Sequence, residues 1–339
     1  MAIPTSMDVI LSEVNFDSSK IYIIQCIGAH NEEEWIEYPI KSIYGEVDKI
    51  IVVEGAVQGR PESTEDGHSI DGTFEKVKTF PDPDNKIELI TKDGHWASLE
   101  EQKQVFLDRA REIQERNPDL MIFLAINDCD EIYTPKDIQR FRKAVELRPY
   151  ATEFVPTFIH FWRDFSHCRT PSEEWNITHQ RFFRYQIGMK YNAHPVVADA
   201  QGMDTCLSGP YQQFRFQIPN LYIYHYGAAK PLDFQKKKLK FYQKELAKHG
   251  KDAVEDAERK YDEMVSYTER DEDVLLFTGN HPEVMKEHSR FKHVDENLSK
   301  RILMPWHESK FYDGRPIPVV FNYGYFKDES LWQINPIEV

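Results

Sequence analysis

Leu120-Met-Ile-Phe-Leu-Ala-Ile-Asn-Asp-Cys-Asp-Glu131 is the stretch on which the reading of this chain turns. An unbroken apolar run from Leu120 to Ile126, followed at once by Asp128, Asp130 and Glu131, describes a strand buried on both faces that ends in a carboxylate cluster. Downstream, Thr134-Pro135 supplies an N-cap and a first helical residue, so a helix is predicted through Leu147. Upstream lie three more strand signals: Ile21–Ile27, Lys49–Val53 and the shorter Ile87–Ile90. Between them, the polar stretch from His30 to Glu34 opens a helical pattern with Ile36, Ile40 and Ile43 on one face, and Pro39 inside it predicts a kink or a short helix. Leu99–Glu115 reads as a longer helix with Phe106, Ala110 and Ile113 at core spacing. Apolar strands alternating with helices predict an α/β fold: a mostly parallel, Rossmann-like central sheet covered by helices on both faces.

Beyond residue 150 the character changes. Glu153–Trp162, His179–Tyr185 and Leu221–Tyr226 are aromatic-rich extended segments broken by Pro and Gly, which predicts a mixed extension of the sheet with long loops. After Pro231 the pattern turns helical over Phe234–His249 and Asp252–Tyr267, and the tail after Arg290 is irregular. The chain therefore divides into an N-terminal extension (1–20), a first half (21–150), a second half of the same domain (151–230) and a helical C-terminal extension (231–339).

The chain has 339 residues, enough to bury a large core without disulfide or metal staples. Its net charge of −15 argues against a protein built mainly to wrap nucleic-acid phosphates. Cys26, Cys129, Cys168 and Cys206 are scattered and form no CxxC pair, which speaks against zinc clusters and dithiol redox sites. With no apolar run of membrane length and no leader pattern before Lys20, a cytoplasmic protein without a membrane span is expected.

In open α/β sheets, ligands bind beyond the carboxyl ends of the strands. Asp128 and Asp130 stand at such an end, two residues apart, and suit a hard cation such as Mg²⁺ or Mn²⁺ that bridges carboxylates to substrate phosphates; the plainer alternative is an acidic turn capping the next helix. Glu54, just past the second strand, is placed to accept hydrogen bonds from a ribose or a base, or is an ordinary loop acid beside Gly55. Gly28-Ala-His-Asn-Glu32 after the first strand is not a GxGxxG cradle, and no GxxxxGK[ST] occurs, so a bound nucleotide would need a metal to carry its diphosphate charge.

Taken in order, Ile23–Glu33, Val47–Glu54 and Phe123–Glu131 resemble family-2 glycosyltransferases of the GT-A fold, in the branch whose last motif reads Leu-Asp-Ala-Asp-Glu. Arg181-Phe-Phe-Arg184, His194-Pro195 and His225-Tyr-Gly227 follow in that branch's order, and the likeness covers residues 21–250. It implies that residues 21–150 are a nucleotide-sugar-binding half and 151–230 an acceptor-side half. Gly28, His30 and Glu54 would line the nucleoside pocket, Asp128 would face the ribose or the metal, Asp130 would be the principal metal ligand and His225 a third. His225 reads equally well as a histidine of the aromatic cluster around Tyr224 and Tyr226. Lys103 stands where the family has an arginine near the diphosphate, or is simply a helix-surface lysine.

The implied activity is metal-dependent transfer of a sugar from a nucleoside-diphosphate sugar, a UDP-sugar before others, with inversion. The acceptor stays open among saccharide, peptide, lipid-linked and modified-base classes. Three departures stand out. Asp71-Gly-Thr73 arrives only after an insertion, Val57–Ile70, which reads as a flexible lid or a surface loop. Pro195 replaces the family's glutamate, so the base falls to His194, Asp199 or Glu131. Beyond residue 270 no counterpart is placed. The alternatives are a non-catalytic carbohydrate- or protein-binding module and a metal-dependent nucleotidyltransferase. The second lacks a basic loop, since His30-Asn-Glu-Glu-Glu34 holds no Lys or Arg.

Overall fold

The computed structural model describes residues 17–60, 62–149, 151–169, 181–191, 207–208, 215–231, 233–235, 255 and 274–296. Its strands are β1 (Ile21–Ala29), β2 (Lys49–Glu54), β3 (Ile87–Ile90), β4 (Met121–Asp128), β5 (Glu131–Ile132), β6 (Glu153–Trp162), β7 (His167–Arg169), β8 (Phe182–Arg184), β9 (Lys190–Tyr191), β10 (Leu207–Ser208), β11 (Arg215–Ala228) and β12 (Val274–Leu276). Its α-helices are α1 (Glu37–Ile43), α2 (Thr73–Lys78), α3 (Leu99–Arg116) and α4 (Pro135–Leu147).

The main sheet runs β12-β7-β6-β8-β4-β1-β2-β3, with β11 added along β6 and β5 along β11. Pairs β1–β2, β1–β4 and β2–β3 are parallel, as is β6–β11. Strand β8 lies antiparallel between β4 and β6 and joins the two parallel groups. This is the α/β, Rossmann-like arrangement with a large, mostly parallel sheet that the sequence predicts.

Strand side chains alternate between faces, and the core divides accordingly. Ile24, Cys26, Ile51, Val53, Leu124 and Ile126 pack under α3 through Phe106, Leu107 and Ala110. Ile23, Ile27, Ile50, Val52, Phe123 and Ala125 face α1 and α4 through Ile36, Ile40, Ile43, Ile138, Phe141 and Val145. Burial of β1, β2 and β4 on both sides is why their sequences are apolar without alternation. Helix α4 starts in a full capping box: Asp137 N–H donates to the Thr134 hydroxyl, and Asp137 Oδ2 accepts from Thr134 N–H at 2.8 Å. Helix α1 is short and contains Pro39, whose carbonyl accepts from the Gln25 side chain at 3.0 Å.

The aromatic residues of β6 are core: Phe154, Phe158, Phe161 and Trp162 are all buried. Arg181-Phe-Phe-Arg184 is explained residue by residue. Phe182 stacks on Phe141 at 4.2 Å, Phe183 joins the α3 face, Arg184 donates to the Pro149 carbonyl at 2.9 Å, and Arg181 reaches Glu131. β12 pairs with β7, so part of the C-terminal extension completes the sheet edge. The helices expected over 234–249 and 252–267 lie almost wholly outside the described residues. Among the described residues no helix is long and apolar enough to cross a membrane.

Candidate active site

The parallel register sets Gly28 beside Asp128 on one side and Val53 on the other, with Ala29 beside Glu54. The glycine, Glu54 and Asp128 therefore share the carboxyl edge of three adjacent strands, where the sequence placed them. Two corners grow from that edge.

At the β2 corner, Glu54 is 0% exposed. Its Oε2 lies 2.8 Å from His68 Nδ1, and its Oε1 accepts the Ser69 N–H at 2.8 Å. The 57–70 insertion is thus not a loose flap. Ala56 N–H donates to the Gly67 carbonyl, Gly94 N–H to Asp66, and Trp96 Nε1 to the Glu54 carbonyl at 3.2 Å. Asn31, in the left-handed region at φ 54°, clamps the insertion from below by donating to the Glu62 carbonyl and accepting from Ile70 N–H. His30 is covered too, at 4% exposure, and burial together with the neighbouring Arg60 pulls its imidazole down to about 3. Neither His30 nor Glu54 faces an opening, so a nucleoside would reach them only if the insertion moved.

At the β4 corner, β11 crosses the carboxylates. Tyr226 N–H donates to the Asp130 carbonyl at 2.9 Å, and His225 is in register with Glu131 and His160. Just past β11, Lys230 Nζ lies 2.8 Å from Asp130 Oδ2 and 2.7 Å from Glu32 Oε2. Burial pushes this ammonium's pKa down, but Asp130 and Glu32 outweigh that and hold it above the ordinary lysine value. The other Asp130 oxygen, Oδ1, lies 3.7 Å from His225 Nε2.

Fit to a divalent cation follows from that separation. With Mg²⁺–oxygen distances of about 2.1 Å, one ion can touch two donors this far apart. His225 Nδ1 lies 2.7 Å from His160 Nδ1, so one ring donates and the other accepts. When His225 is the donor, its Nε2 carries a lone pair toward Asp130, which is the form that ligates a metal with His160 as the outer partner. Among the described residues no three acid, histidine or cysteine side chains are gathered into a group that could hold a metal ion by themselves. Gly227 makes the geometry possible: a Cβ there would lie 2.5 Å from His225 Nε2.

Glu131, a base candidate, is locked instead. Arg181 holds it at two points, Nε to Oε2 at 2.8 Å and Nη2 to Oε1 at 2.6 Å, and Asp128 N–H donates to it at 3.3 Å. A carboxylate so fixed is a brace of the β4–β5 turn and is poorly placed to take a proton. His194 and Asp199 lie outside the described residues. Lys103 is not on the helix surface: it is buried on α3, 5.7 Å above the Tyr191 ring.

The sequence matches no protein-family model and no curated protein. Among solved structures, the crystal structure of S. aureus TarS 1-349 aligns over 73% of this chain and 73% of that one, with a TM-score of 0.36 and 10% identity. So coarse a likeness fixes neither a reaction nor a residue, and the reading of the site stands on its own geometry.

Sequence reasoning missed Lys230, Glu32 and His160. Glu32 was visible within Asn31-Glu32, and Lys230 three residues past His225-Tyr-Gly227. Nothing local pairs them, because 198 residues separate Glu32 from Lys230.

Proposed function

We propose that this chain is a metal-dependent, inverting glycosyltransferase that uses a nucleoside-diphosphate sugar, a UDP-sugar first among candidates. The supporting observation is Asp130 at the end of β4, with one oxygen neutralised by Lys230 and the other facing His225 Nε2 at 3.7 Å. Asp130, His225 and Asp128 would hold Mn²⁺ or Mg²⁺, which when bound offsets charge building on a leaving diphosphate. The residues themselves orient. Lys230 fixes Asp130, His160 sets the ring of His225, and the Arg181–Glu131 pair stiffens the turn that carries both aspartates. Gly28, lacking a side chain, leaves room beside Asp128 for a close approach. With Glu131 locked, His194 and Asp199 are the proposed bases for the acceptor's proton. Saccharide, peptide, lipid-linked and modified-base acceptors are all compatible with this chemistry.

The test is thermal stability in the presence of UDP, GDP, dTDP or CDP, each with Mn²⁺ and with EDTA. A ligand at one hundred times its dissociation constant adds about 2.7 kcal/mol. One nucleotide is expected to stabilise the protein only with Mn²⁺, and D130N to abolish the effect. No stabilisation by any of the four in a folded protein sinks the reading. A second reading, a binding module without catalysis, is favoured by one observation: the 57–70 insertion covers both His30 and Glu54. Metal-independent binding of carbohydrate, without nucleotide binding, would select it.

A further inference from the structure

The stretch after β12 takes no part in the transferase reading, yet it is fastened to the loops behind the β4 corner. It crosses an aromatic face formed by Trp35, Phe165 and Tyr226 and meets it with His281, Met285, His288 and Phe291, while Glu283, Lys286 and Glu287 stay exposed. Two imidazoles sit on that inner side. His288 lies 4.2 Å from the Trp35 ring and 4.8 Å from Tyr38. Its Nδ1 accepts the Arg290 N–H at 3.1 Å, and its buried Nε2 has no hydrogen-bond partner among the described residues. His281 Nδ1 lies 2.8 Å from the Tyr226 hydroxyl, within a cage of Phe161, Phe165, Phe277 and Phe291. Beside them, Arg290 donates to the Ala229 carbonyl at 3.1 Å and Ser289 to Glu34 at 2.6 Å. The stretch therefore grips both loops that bring Glu32 and Lys230 together.

We propose that residues 281–291 are an acid-released clasp on these loops, closed only while His281 and His288 are both neutral. The device is independent of the reaction that the site performs. A proton on His288 Nδ1 sets its N–H against that of Arg290, two donors facing one another. Burial holds this imidazole down to about 4; Glu34 favours the charge, whereas Arg290, Lys230 and Lys76 oppose it. Around His281 stand phenylalanine rings, the Tyr226 phenol, which burial keeps neutral, and the Phe165 carbonyl. Burial outweighs the help that carbonyl gives the proton and holds this ring, too, at about 4. Both values lie below the ordinary 6.5, so the open form takes up protons that the closed form refuses. Closure is complete above pH 6.5 and weakens as pH falls from there toward 4. Release uncovers Trp35 and frees the Ala229 carbonyl, and so loosens the loops that hold Glu32 and Lys230.

Hydrogen exchange of the full chain between pH 7 and pH 4.5, corrected for intrinsic rates, tests the clasp. Protection of residues 281–291 is expected to fall about tenfold or more from pH 7 to pH 5, with more than one proton taken up per opening, while β1, β2 and β4 stay protected. The double variant H281Q, H288F keeps an acceptor for Tyr226 and a ring on Trp35, and is expected to lose that pH dependence. Should it not fold, the wild-type profile decides alone. Protection that is unchanged at pH 5, that falls with one proton or fewer, or that falls only in step with β1, β2 and β4 overturns the proposal. So does a folded double variant that opens with the wild-type pH profile.

Discussion

Glu54 ends β2 and Asp130 lies just past β4, two parallel strands with β1 between them; both acids are buried, yet the chain treats them in opposite ways. Glu54 is satisfied within one neighbourhood, by an imidazole and a backbone N–H of the same short insertion. Asp130 is bound by a residue distant in sequence, Lys230 just past β11, which meets it at Oδ2. Position at a strand end is therefore a poor guide to role by itself. A carboxylate whose two oxygens serve a local loop is a structural post. A carboxylate shared with a distant cation, with its second oxygen turned to a histidine, is suited to exchange partners.

The sharpest way to break this contrast is to neutralise each acid in turn. D130N is expected to reduce Mn²⁺-dependent nucleotide binding about a hundredfold or more, because it removes the charge that the metal would meet. Titration calorimetry of D130N and E54Q side by side checks it, and equal losses in the two variants would erase the distinction.

Acid should loosen the β2 corner. His30 has its folded value pulled down to about 3, against an ordinary value near 6.5. Below pH 6.5 the opened form takes up a proton that the closed form refuses until about pH 3, so closure is fully stable above pH 6.5 and weakens as pH falls through that window. By pH 5 the loss amounts to roughly 2 kcal/mol. Hydrogen exchange over residues 57–70 at pH 7 and 5, corrected for intrinsic rates, measures it; unchanged protection would mean His30 is not held by that loop.

E54Q itself should lower thermal stability by about 1–2 kcal/mol, since one of its two acceptor bonds becomes a mismatched donor. Nucleotide affinity is expected to change far less than stability, which calorimetry and thermal melts on one preparation will show. The smallest effect belongs to G227A. Its Cβ would push the His225 ring off Asp130, weakening Mn²⁺ in the presence of nucleotide by about tenfold while leaving the melting temperature near wild type.

How much of this the amino-acid sequence reveals depends on how local the cause is. β1, β2 and β4 were legible because burial on both faces writes itself as an unbroken apolar run, and α4 because its cap needs only Thr134, Pro135 and Asp137. β11 was read as Leu221–Tyr226 though it spans Arg215–Ala228, because Pro219 interrupts the pattern. Helix α2 was not foreseen, being a single short turn and a half held by Asp71 and Thr73. The candidate acids were legible in the same way, as charges that abruptly end apolar runs. Their partners were not. The His68–Glu54 bond depends on how an insertion folds back, and Glu32–Lys230 on two loops brought together by the whole sheet.

β8 has a further consequence, for the chain as it leaves the ribosome. Residues 21–150 resemble a unit that could be cut out and expressed, yet one edge of β4 is closed by β8 and the residues flanking it, Arg181 and Tyr185. Until those residues are made, the growing protein exposes an apolar strand edge, the kind of surface that recruits strangers. The lysine that balances Glu32 and Asp130 emerges later still. A truncation at residue 150 would thus combine a sticky edge with an uncompensated acid pair, and should be insoluble for reasons that have nothing to do with the quality of its own core.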